Sequence, residues 1–518
     1  MLLFNIQLCV LFFGNSFITL IMVESLYNLK DLEGKAFVYG IGVISTIIFS
    51  FLPVKAIEFD DNKTAKKTAI ISLIVMIIIQ AGFFLKAPKA YSPIEGYIEL
   101  INQWQEKREL AKMMTEYQES TPNDENIVSD NSVNENEKKT VSDNKDENIN
   151  ISENSVDEEE EEDKFDIYSL AFEERIPYVY TVGTETKHDI IGSDVNIILI
   201  FMEGLSENIV HDKRAIMPNV SGIMANSINY TNYYNHTFAT YRGLEGQLYS
   251  GNSLNDQDTN SLVSLMDVLK LNGYYTSFIN TEPNNEEFTQ YLNAMPFDTI
   301  ISDPNMCEGA VSSMSDMVAY QQLFDTAVNY NNEGKKFFLA MYSMGTHASF
   351  NSFDEVFGDG SSPFLNKFYN ADVQFGKFFG NYLNSALPAN TMVIFTTDHA
   401  TYCDEDFVSN CPGHNRICNG ADEIPFFIYY QGKKETVDAG GRNSLDMAPT
   451  VLDLLGIEKP VDFLGESLYS PIYEKTILDT FFWNPDCCMF TGGDKIRVAS
   501  GEEKKYVSKQ MAIYFSKK

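Results

Sequence analysis

Positive charge is scarce in this chain of 518 residues, which carries 38 lysine and arginine residues against 73 aspartate and glutamate residues. The resulting net charge of −35 excludes a nucleic-acid-binding protein that works through a broad basic face, because phosphates would be repelled. Apolar residues, in contrast, make up 44% of the chain, which is too much for a wholly disordered protein. Their uneven distribution divides the sequence into segments.

Three uncharged runs near the N-terminus, at 2–23, 36–54 and 68–85, each hold enough residues to cross a bilayer as a helix. The first run lacks a basic n-region and an A-x-A cleavage site, so we do not expect a cleaved signal peptide. We therefore predict three transmembrane helices within the region 1–88.

Lysines indicate how these helices are oriented, because an excess of lysine marks the cytoplasmic side of a membrane. Four lysines lie between the second and third runs, whereas the loop between the first and second runs has two lysines beside three acidic residues. We expect the loop 55–67 to be cytoplasmic and residues 86–518 to be extracytoplasmic, so that the chain is a multi-pass cell-membrane protein.

Two segments separate the predicted helices from the rest of the chain. Residues 89–119 have helical character and are interpreted as a juxtamembrane helix. In residues 120–165, 16 acidic residues stand against four lysines, and such a segment cannot bury enough apolar surface to fold alone. We interpret it as a disordered acidic linker; calcium binding is the less favoured alternative.

Residues 166–518 form one block in which apolar, strand-like runs alternate with helix-like segments. This alternation favours an α/β domain with parallel strands, and runs that are apolar throughout suit a sheet covered on both faces. The predicted strands are 195–202, 274–279, 336–343, 391–397 and 424–430, and the predicted helices include 261–271, 316–331 and 444–455.

Polar groups that follow the predicted strands are candidate site residues, because active sites in such folds lie at the carboxyl ends of strands. Glu203 follows the first run, where it suits a cation ligand or a helix cap equally well. Asp398 and His399 follow the fourth run, and this adjacent pair favours metal ligation over a satisfied polar pair. Thr240 lies where a loop enters a helix, a place that favours an anion, although a lone threonine there is more often structural.

Taken together and in this order, these residues resemble the lipoteichoic acid synthase type of phosphoglycerol transferase, a family of the alkaline phosphatase-like (sulfatase-like) superfamily. The resemblance covers most of 190–475. It implies a central, mostly parallel sheet flanked by helices. The motifs that carry it are at 196–203, 240–245, 345–347, 397–399, 424–428 and 444–450.

The resemblance implies a metal site and a nucleophile. Glu203, Asp398 and His399 are expected to bind a divalent cation, typically manganese, and this ligand set also suits magnesium and zinc. Thr240 is expected to complete the metal shell and to attack phosphorus, because a metal-bound hydroxyl is a far stronger nucleophile than a free one.

The resemblance also implies a substrate pocket. His347 is expected to line the phosphate and glycerol pocket and to be available for proton transfer. His414, in the segment that also carries Arg416, matches a second histidine of that pocket, and both residues are expected to bind substrate.

The expected activity is transfer of glycerol phosphate from phosphatidylglycerol to a cell-envelope acceptor through a covalent intermediate on Thr240. The leaving alcohol would be diacylglycerol, which stays in the membrane and explains an anchor beside the outer leaflet. The acceptor stays open between a polyglycerolphosphate chain, a glycolipid and an envelope glycan. The chain departs from the best-known family members in two ways. It has three predicted spans where they have five, and it has a long acidic linker.

Cysteine is also sparse, with seven residues in the chain. Cys403, Cys411 and Cys418 cluster just after the Asp398–His399 pair, which favours a disulfide there on the extracytoplasmic side. A separate zinc site formed by Cys411, His414 and Cys418 is the less favoured alternative.

Four alternatives compete with phosphoglycerol transfer. A phosphoethanolamine transferase would share the threonine and the metal, and so would a phosphodiester hydrolase of the same superfamily that uses water as the acceptor. A sulfatase needs a C-x-P-x-R or S-x-P-x-R site for its modified nucleophile, and the loop at Thr240 lacks one. A non-catalytic membrane-tethered scaffold is disfavoured by the intact set of Thr240 and three ligands.

Overall fold

The computed structural model describes residues 191–516 with gaps at 253–261, 308–312, 348–353, 415, 417, 419, 461–462, 471–480, 484–487 and 491–495, together with eight residues between Tyr97 and Lys112. Those eight residues are helical. The predicted membrane runs and the acidic linker lie outside the described residues. None of the described helices has the length and apolar character needed to span a membrane.

The centre of the domain is an eight-stranded sheet with the order β4-β3-β5-β1-β6-β7-β2-β8. The five strands from β4 to β6 run parallel, and β7 is the one strand of this sheet that runs against its neighbours. The strands are β1 (Asn196–Met202), β2 (Ile228–Thr231), β3 (Tyr275–Ile279), β4 (Thr299–Ile301), β5 (Phe337–Ser343), β6 (Thr391–Thr397), β7 (Phe426–Tyr429) and β8 (Glu435–Asp438).

Ten helices accompany the two sheets in the described range 191–516. They are α1 (Glu207–Val210), α2 (Pro218–Met224), α3 (Thr240–Tyr249), α4 (Leu265–Leu271), α5 (Glu286–Ala294), α6 (Asp316–Asn332), α7 (Pro363–Leu383), α8 (Glu405–Asn410), α9 (Met447–Leu454) and α10 (Gly501–Ser516). A small antiparallel sheet near the C-terminus has the order β11-β10-β9, formed by β9 (Phe481–Phe482), β10 (Cys488–Phe490) and β11 (Ile496–Val498).

Both faces of the central sheet are buried, as the apolar strand runs predicted. In β1, Leu199 and Phe201 join the core on one face, while Ile200 and Met202 join the core on the other. Helices α3, α4, α5 and α9 supply side chains to the first core, and α2, α6 and α7 supply side chains to the second. Successive strand residues point to opposite faces, so an uninterrupted apolar run serves both cores.

The expected α/β fold with a mostly parallel sheet is confirmed, with local corrections. The fifth predicted strand runs antiparallel and begins at Phe426. The helix predicted over 261–271 begins at Leu265, because Ser264 caps it and Asp267 completes a capping box. The helix predicted over 444–455 is divided into a 3₁₀ turn, Ser444–Asp446, and α9.

Candidate metal centre and active site

The candidate site lies at the carboxyl ends of two neighbouring central strands. β1 and β6 pair in parallel with Met202 opposite Thr397, so the residues that follow them meet at one edge of the sheet. Glu203 follows β1, and Asp398 and His399 follow β6. The three side chains are buried. The backbone N–H of Gly204 donates to Oδ1 of Asp398 at 2.9 Å, which joins the two strand ends directly.

In both Asp398 and His399, hydrogen bonds hold one polar atom of the side chain, and the second polar atom has no partner. Oδ1 of Asp398 also accepts the backbone N–H of His399 at 2.8 Å, and Oδ2 has no hydrogen-bond partner. Nδ1 of His399 lies 2.7 Å from the Ala400 carbonyl oxygen, to which it can only donate. In the neutral ring, Nε2 therefore carries the lone pair, and this atom too is buried without a hydrogen-bond partner.

The unpaired atoms converge on one point with the carboxylate of Glu203. Nε2 of His399 lies 3.5 Å from Oε1 of Glu203 and 3.4 Å from Oδ2 of Asp398. One ligand atom from each of the three residues lies within 4.8 Å of the others. Buried polar atoms without a partner destabilise a folded protein, so this arrangement fits a bound cation. Two carboxylates and an imidazole suit manganese, magnesium or zinc, and the geometry does not select among them.

Thr240 contacts this cluster through Glu203. It is the first residue of α3, as the loop-to-helix pattern predicted, and its hydroxyl donates to Oε2 of Glu203 at 3.2 Å. The preceding residue, Ala239, has φ +85° and ψ 145°, a conformation that side-chain-bearing residues rarely adopt. The positive end of the α3 dipole is thereby aimed at the cluster.

Glu203 is held by hydroxyl groups that the sequence did not single out. The Tyr342 hydroxyl donates to Oε2 of Glu203, and the Thr346 hydroxyl donates to its backbone carbonyl oxygen. Tyr342 lies within the apolar run of β5, so its hydroxyl is hidden in a pattern that indicates a core strand. The one available signal was its place next to the end of that strand.

Protonation in the cluster follows from burial and from the mutual repulsion of the carboxylates. Burial raises the pKa of Asp398 to about 7, and the Glu203 carboxylate adds to the rise. Burial alone would raise the pKa of Glu203 as well, but the charges of His399 and His347 and the hydrogen bond from Tyr342 lower it to about 2. Burial disfavours a charged His399, yet Asp398 and Glu203 raise its pKa above the usual value. The cluster thus attracts positive charge.

Two aromatic rings enclose the imidazole of His399. The ring centroids of Phe238 and Tyr402 lie 5.0 and 5.2 Å from that of His399, and the two aromatic rings meet edge to face at 4.6 Å. Phe238 lies in the loop before Thr240, and Tyr402 in the loop after His399. These rings fix the orientation of the imidazole and keep water away from it.

The predicted substrate-binding residues lie in two places. His347 follows β5 in a tight turn, where its backbone N–H donates to Met344, and its charge acts on Glu203. His414 lies farther out, with Nε2 at 3.1 Å from both carboxylate oxygens of Asp422. The side chain of Arg416 is buried, and its guanidinium pairs with Asp422 at 2.6 Å.

Arg416 also fixes the loop that follows the Asp398–His399 pair. Its guanidinium donates to the Thr401 carbonyl oxygen and to the Ser206 hydroxyl and lies over the Phe407 ring. The structure thus gives Arg416 a set of protein partners. It brings Glu203, Thr240, Asp398 and His399 together and leaves His414 and Arg416 in an adjoining cluster around Asp422.

The cysteine predictions near this loop need correction. Cys403 and Cys411 are free thiols, whereas Cys418 is in a disulfide. A bridge among these three residues is therefore wrong. The alternative zinc site with Cys418 as a ligand is also wrong, because a disulfide sulfur is not a thiolate.

Residues 195–457 match the sulfatase family model. The chain belongs to the sulfatase family. The matched range begins at β1, includes every residue of the metal-ligand cluster and Thr240, and ends after α9. This membership supports an enzyme that acts on phosphate or sulfate esters.

Solved structures support the same fold. A protein of the alkaline phosphatase superfamily from Vibrio parahaemolyticus is similar with a TM-score of 0.52 and 17% identity, over 66% of this chain and 90% of that one. The lipoteichoic acid synthase LtaP from Listeria monocytogenes is similar with a TM-score of 0.51 and 17% identity, over 66% of this chain and 97% of that one. At this identity, the likeness establishes the alkaline phosphatase-like fold alone.

A 75-residue stretch is also similar to a curated enzyme, the 2,3-bisphosphoglycerate-independent phosphoglycerate mutase of Pseudomonas entomophila, with 37% identity. The match covers 14% of this chain and 14% of the mutase. The chain therefore matches only a small part of the length of that relative.

Proposed function

We propose that this chain is a membrane-anchored, metal-dependent phosphoglycerol transferase that moves glycerol phosphate from phosphatidylglycerol to a cell-envelope acceptor. The observation that carries the proposal is the position of Thr240. Its hydroxyl lies at the N-terminus of α3 and on the carboxylate of Glu203, beside the unpaired atoms of Asp398 and His399. A hydroxyl in this setting is a nucleophile for a phosphorus centre.

Glu203, Asp398 and His399 would hold the divalent ion. When bound there, the ion would lower the pKa of the Thr240 hydroxyl and offset negative charge on the phosphoryl oxygens. The Tyr342 hydroxyl orients Glu203, and the Ala400 carbonyl oxygen orients His399. These supporting bonds keep the ligand set preorganised.

The reaction we propose has two displacement steps at phosphorus. In the first, the Thr240 oxygen forms a bond to phosphorus while the bond to the diacylglycerol oxygen breaks, and the proton lost by Thr240 ends on that leaving oxygen. In the second, an acceptor hydroxyl attacks the same phosphorus, the bond to Thr240 breaks, and Thr240 recovers a proton. We assign the proton transfers in these steps to His347, whose charge acts on Glu203.

Three features support transfer rather than sulfate-ester hydrolysis. The nucleophile position holds a threonine, and the loop at Thr240 has no C-x-P-x-R or S-x-P-x-R site for a modified residue. The predicted spans at 2–23, 36–54 and 68–85 would keep the domain beside a lipid donor whose leaving group stays in the bilayer. Transfer to an alcohol rather than to water would retain the phosphodiester that an envelope polymer requires.

The proposal is tested by trapping the intermediate. The full-length protein is incubated with Mn²⁺ and phosphatidylglycerol vesicles without acceptor, and the Thr240 peptide is examined by mass spectrometry. A glycerophosphate on threonine adds about 154 Da, whereas phosphoethanolamine from the corresponding lipid adds about 123 Da.

Variants of Thr240 and a control variant show whether the adduct forms on the Thr240 hydroxyl. Thr240→Ala should form no adduct and Thr240→Ser some adduct, while Thr436→Ala, at an exposed residue of β8, should behave as wild type. An adduct with phosphatidylethanolamine alone would replace the proposal by phosphoethanolamine transfer. A fully active Thr240→Ala enzyme would exclude the covalent route.

A further inference from the structure

The loop before α3, at residues 235–239, is hydrogen-bonded to the small C-terminal sheet. The backbone N–H of Trp483, the residue directly after β9, donates to the His236 carbonyl oxygen at 2.9 Å. The Thr237 hydroxyl donates to the Trp483 carbonyl oxygen at 3.0 Å, across 246 positions of the sequence. Thr237 is buried, so water does not compete for this bond. Two bonds therefore join the loop to the end of β9.

Side chains pack across the same contact. Phe482 of β9 is buried, and Phe238 of the loop packs against the same small hydrophobic cluster. A Cβ atom on Gly420 would lie 2.9 Å from the Phe238 ring and 3.0 Å from the Phe482 ring, so both rings lie close to this backbone. The Phe238 ring also lies 5.0 Å from that of His399, centroid to centroid. The position of β9 is therefore linked to the loop and to a candidate metal ligand.

The far end of α3 is also contacted by residues beyond 457, where the match to the sulfatase family model ends. The backbone N–H of Leu464 donates to the Ser250 carbonyl oxygen at 2.7 Å. A Cβ atom on Gly251 would lie 2.0 Å from the Tyr514 hydroxyl oxygen of α10. Residues outside the matched range thus hold α3 at both of its ends.

Ala239, the last residue of the loop, needs such support. Its φ of +85° is rare for a residue with a side chain, and a strained conformation of this kind persists only where its surroundings determine it. Thr237 is two residues before Ala239, and Thr240 comes directly after it. Without the bond from Thr237, the loop can relax to a negative φ at Ala239, which would turn Thr240 away from Glu203.

From these contacts, we propose that Thr237 is a positioning residue for the nucleophile. Its bond to Trp483 keeps Ala239 in the positive-φ conformation, and that conformation keeps the Thr240 hydroxyl on Glu203. The inference rests on the proposed function, in which Thr240 attacks phosphorus. Thr237 acts through Thr240 and not on the substrate, and the C-terminal sheet thereby supports the reaction.

The test measures nitrophenolate release from the phosphodiester bis(p-nitrophenyl) phosphate by the full-length protein in non-ionic detergent with Mn²⁺. Thr237→Val keeps the shape of the side chain and removes the hydroxyl. It should lower kcat about tenfold or more and leave KM within about threefold of wild type, because the nucleophile is displaced while the metal site stays. Thr237→Ser should retain most of kcat. Manganese content and circular dichroism should equal those of the wild type.

Two further variants separate positioning from a general loss of stability. Thr231→Val is the matched control, because the Thr231 hydroxyl of β2 also donates to a backbone carbonyl oxygen, that of Val437 at 3.5 Å, and it should keep wild-type kcat. Ala239→Gly, combined with Thr237→Val, should restore part of the lost kcat, because glycine adopts a positive φ without strain. Glycine would not correct a loss of stability, since it adds freedom to the unfolded chain.

Three outcomes would overturn the proposal. These are wild-type kcat in Thr237→Val, a kcat in Thr237→Ser as low as that in Thr237→Val, and no recovery of kcat when Ala239→Gly is added. If Thr237→Val does not fold, Thr237→Ala replaces it and must show the same fall in kcat.

The trapping experiment separates this proposal from the function on which it rests. Nitrophenolate release that depends on Thr237, without any glycerophosphate on Thr240, would reject phosphoglycerol transfer and retain the role of Thr237. A glycerophosphate adduct that forms at the wild-type rate in Thr237→Val would retain the function and reject the role of Thr237. A wild type that forms no adduct and releases no nitrophenolate would reject both.

Discussion

Asp398 and His399 are two consecutive residues whose side chains are oriented as candidate metal ligands by hydrogen bonds to the surrounding backbone. The backbone N–H groups of Gly204 and His399 occupy one oxygen of Asp398, and the Ala400 carbonyl oxygen occupies one nitrogen of His399. The remaining atom of each side chain is thereby directed at Glu203. Local hydrogen bonds alone select which atom stays available.

This selection predicts the effect of Asp398→Asn. The amide keeps an oxygen for the two backbone N–H groups but replaces Oδ2, and with it the negative charge. We expect metal affinity to fall by at least the roughly 10–100-fold that follows the loss of a supporting outer-shell partner, because here a direct ligand is lost. Competition with a chelator of known affinity measures the change.

The control for this variant is Asp406→Asn, which removes an exposed carboxylate of α8. It should keep wild-type metal affinity. If Asp398→Asn retains that affinity while the fold is intact, Asp398 is not a ligand.

The sequence predicted the candidate metal ligands, but it did not predict the residues that hydrogen-bond to them. Glu203, Asp398 and His399 could be chosen because each directly follows an apolar run, a position that parallel strands bring to one edge. Tyr342 and Thr346 could not be chosen, because their role depends on which strand neighbours β1. The disulfide prediction failed for the related reason that proximity along the chain does not determine pairing.

At the scale of elements, α3 is positioned by a close approach of its backbone to that of Asp398. A Cβ atom on Gly243 would lie 2.1 Å from the backbone carbonyl oxygen of Asp398. Only glycine lets the helix contact the end of β6 at this distance. The same contact sets the position of Thr240, three residues earlier in α3, relative to the metal-ligand cluster.

Gly243→Ala should therefore displace α3 and reduce formation of the Thr240 adduct about 100-fold, since a shift near 1 Å has effects of that order on reacting groups. Gly222→Ala is the matched control, because Gly222 lies in α2 with open space around it. That control should keep full activity and gain up to about 1 kcal/mol in free energy of unfolding. Wild-type adduct formation by Gly243→Ala would contradict the argument.

Elements were predictable from the sequence where burial on both faces makes a strand apolar throughout. β1, β3, β5 and β6 were found within about two residues for that reason. The strands β2, β4 and β8 are three or four residues long and partly exposed, so they carry no such signal. The reversed direction of β7 arises from connections that no local pattern records.

At the scale of the whole molecule, buried acids link stability to pH. Asp316 at the start of α6 accepts the backbone N–H of Gly345 at 3.1 Å, and burial raises its pKa from 3.8 to about 6. A folded state that holds this proton more tightly than the unfolded state is favoured at low pH. This contribution is present below about pH 4 and is lost as the pH rises through about 6.

Asp316→Asn should therefore show a smaller fall in free energy of unfolding between pH 4.5 and pH 7 than the wild type. The amide oxygen can still accept from Gly345. Urea unfolding at several pH values measures the difference, and Asp325→Asn, at an exposed residue of the same helix, should follow the wild-type curve. If the free energy of unfolding depends on pH in the same way in Asp316→Asn and in the wild type, Asp316 has the same pKa in the folded and unfolded states, which contradicts the prediction.

The pairing of β1 with β6 has a consequence for how the protein folds. The hydrogen bond from Gly204 to Asp398 joins residues 194 positions apart, and both strands lie at the centre of the sheet. Contacts between residues so far apart in the sequence form slowly, because a large loop must be ordered before they form. The ligand set consequently cannot form before the chain has been synthesised through His399 and β6 has paired with β1. Metal binding should therefore follow the slowest step of refolding. A bound ion would then indicate that the central sheet has formed, and it would not direct the formation of that sheet.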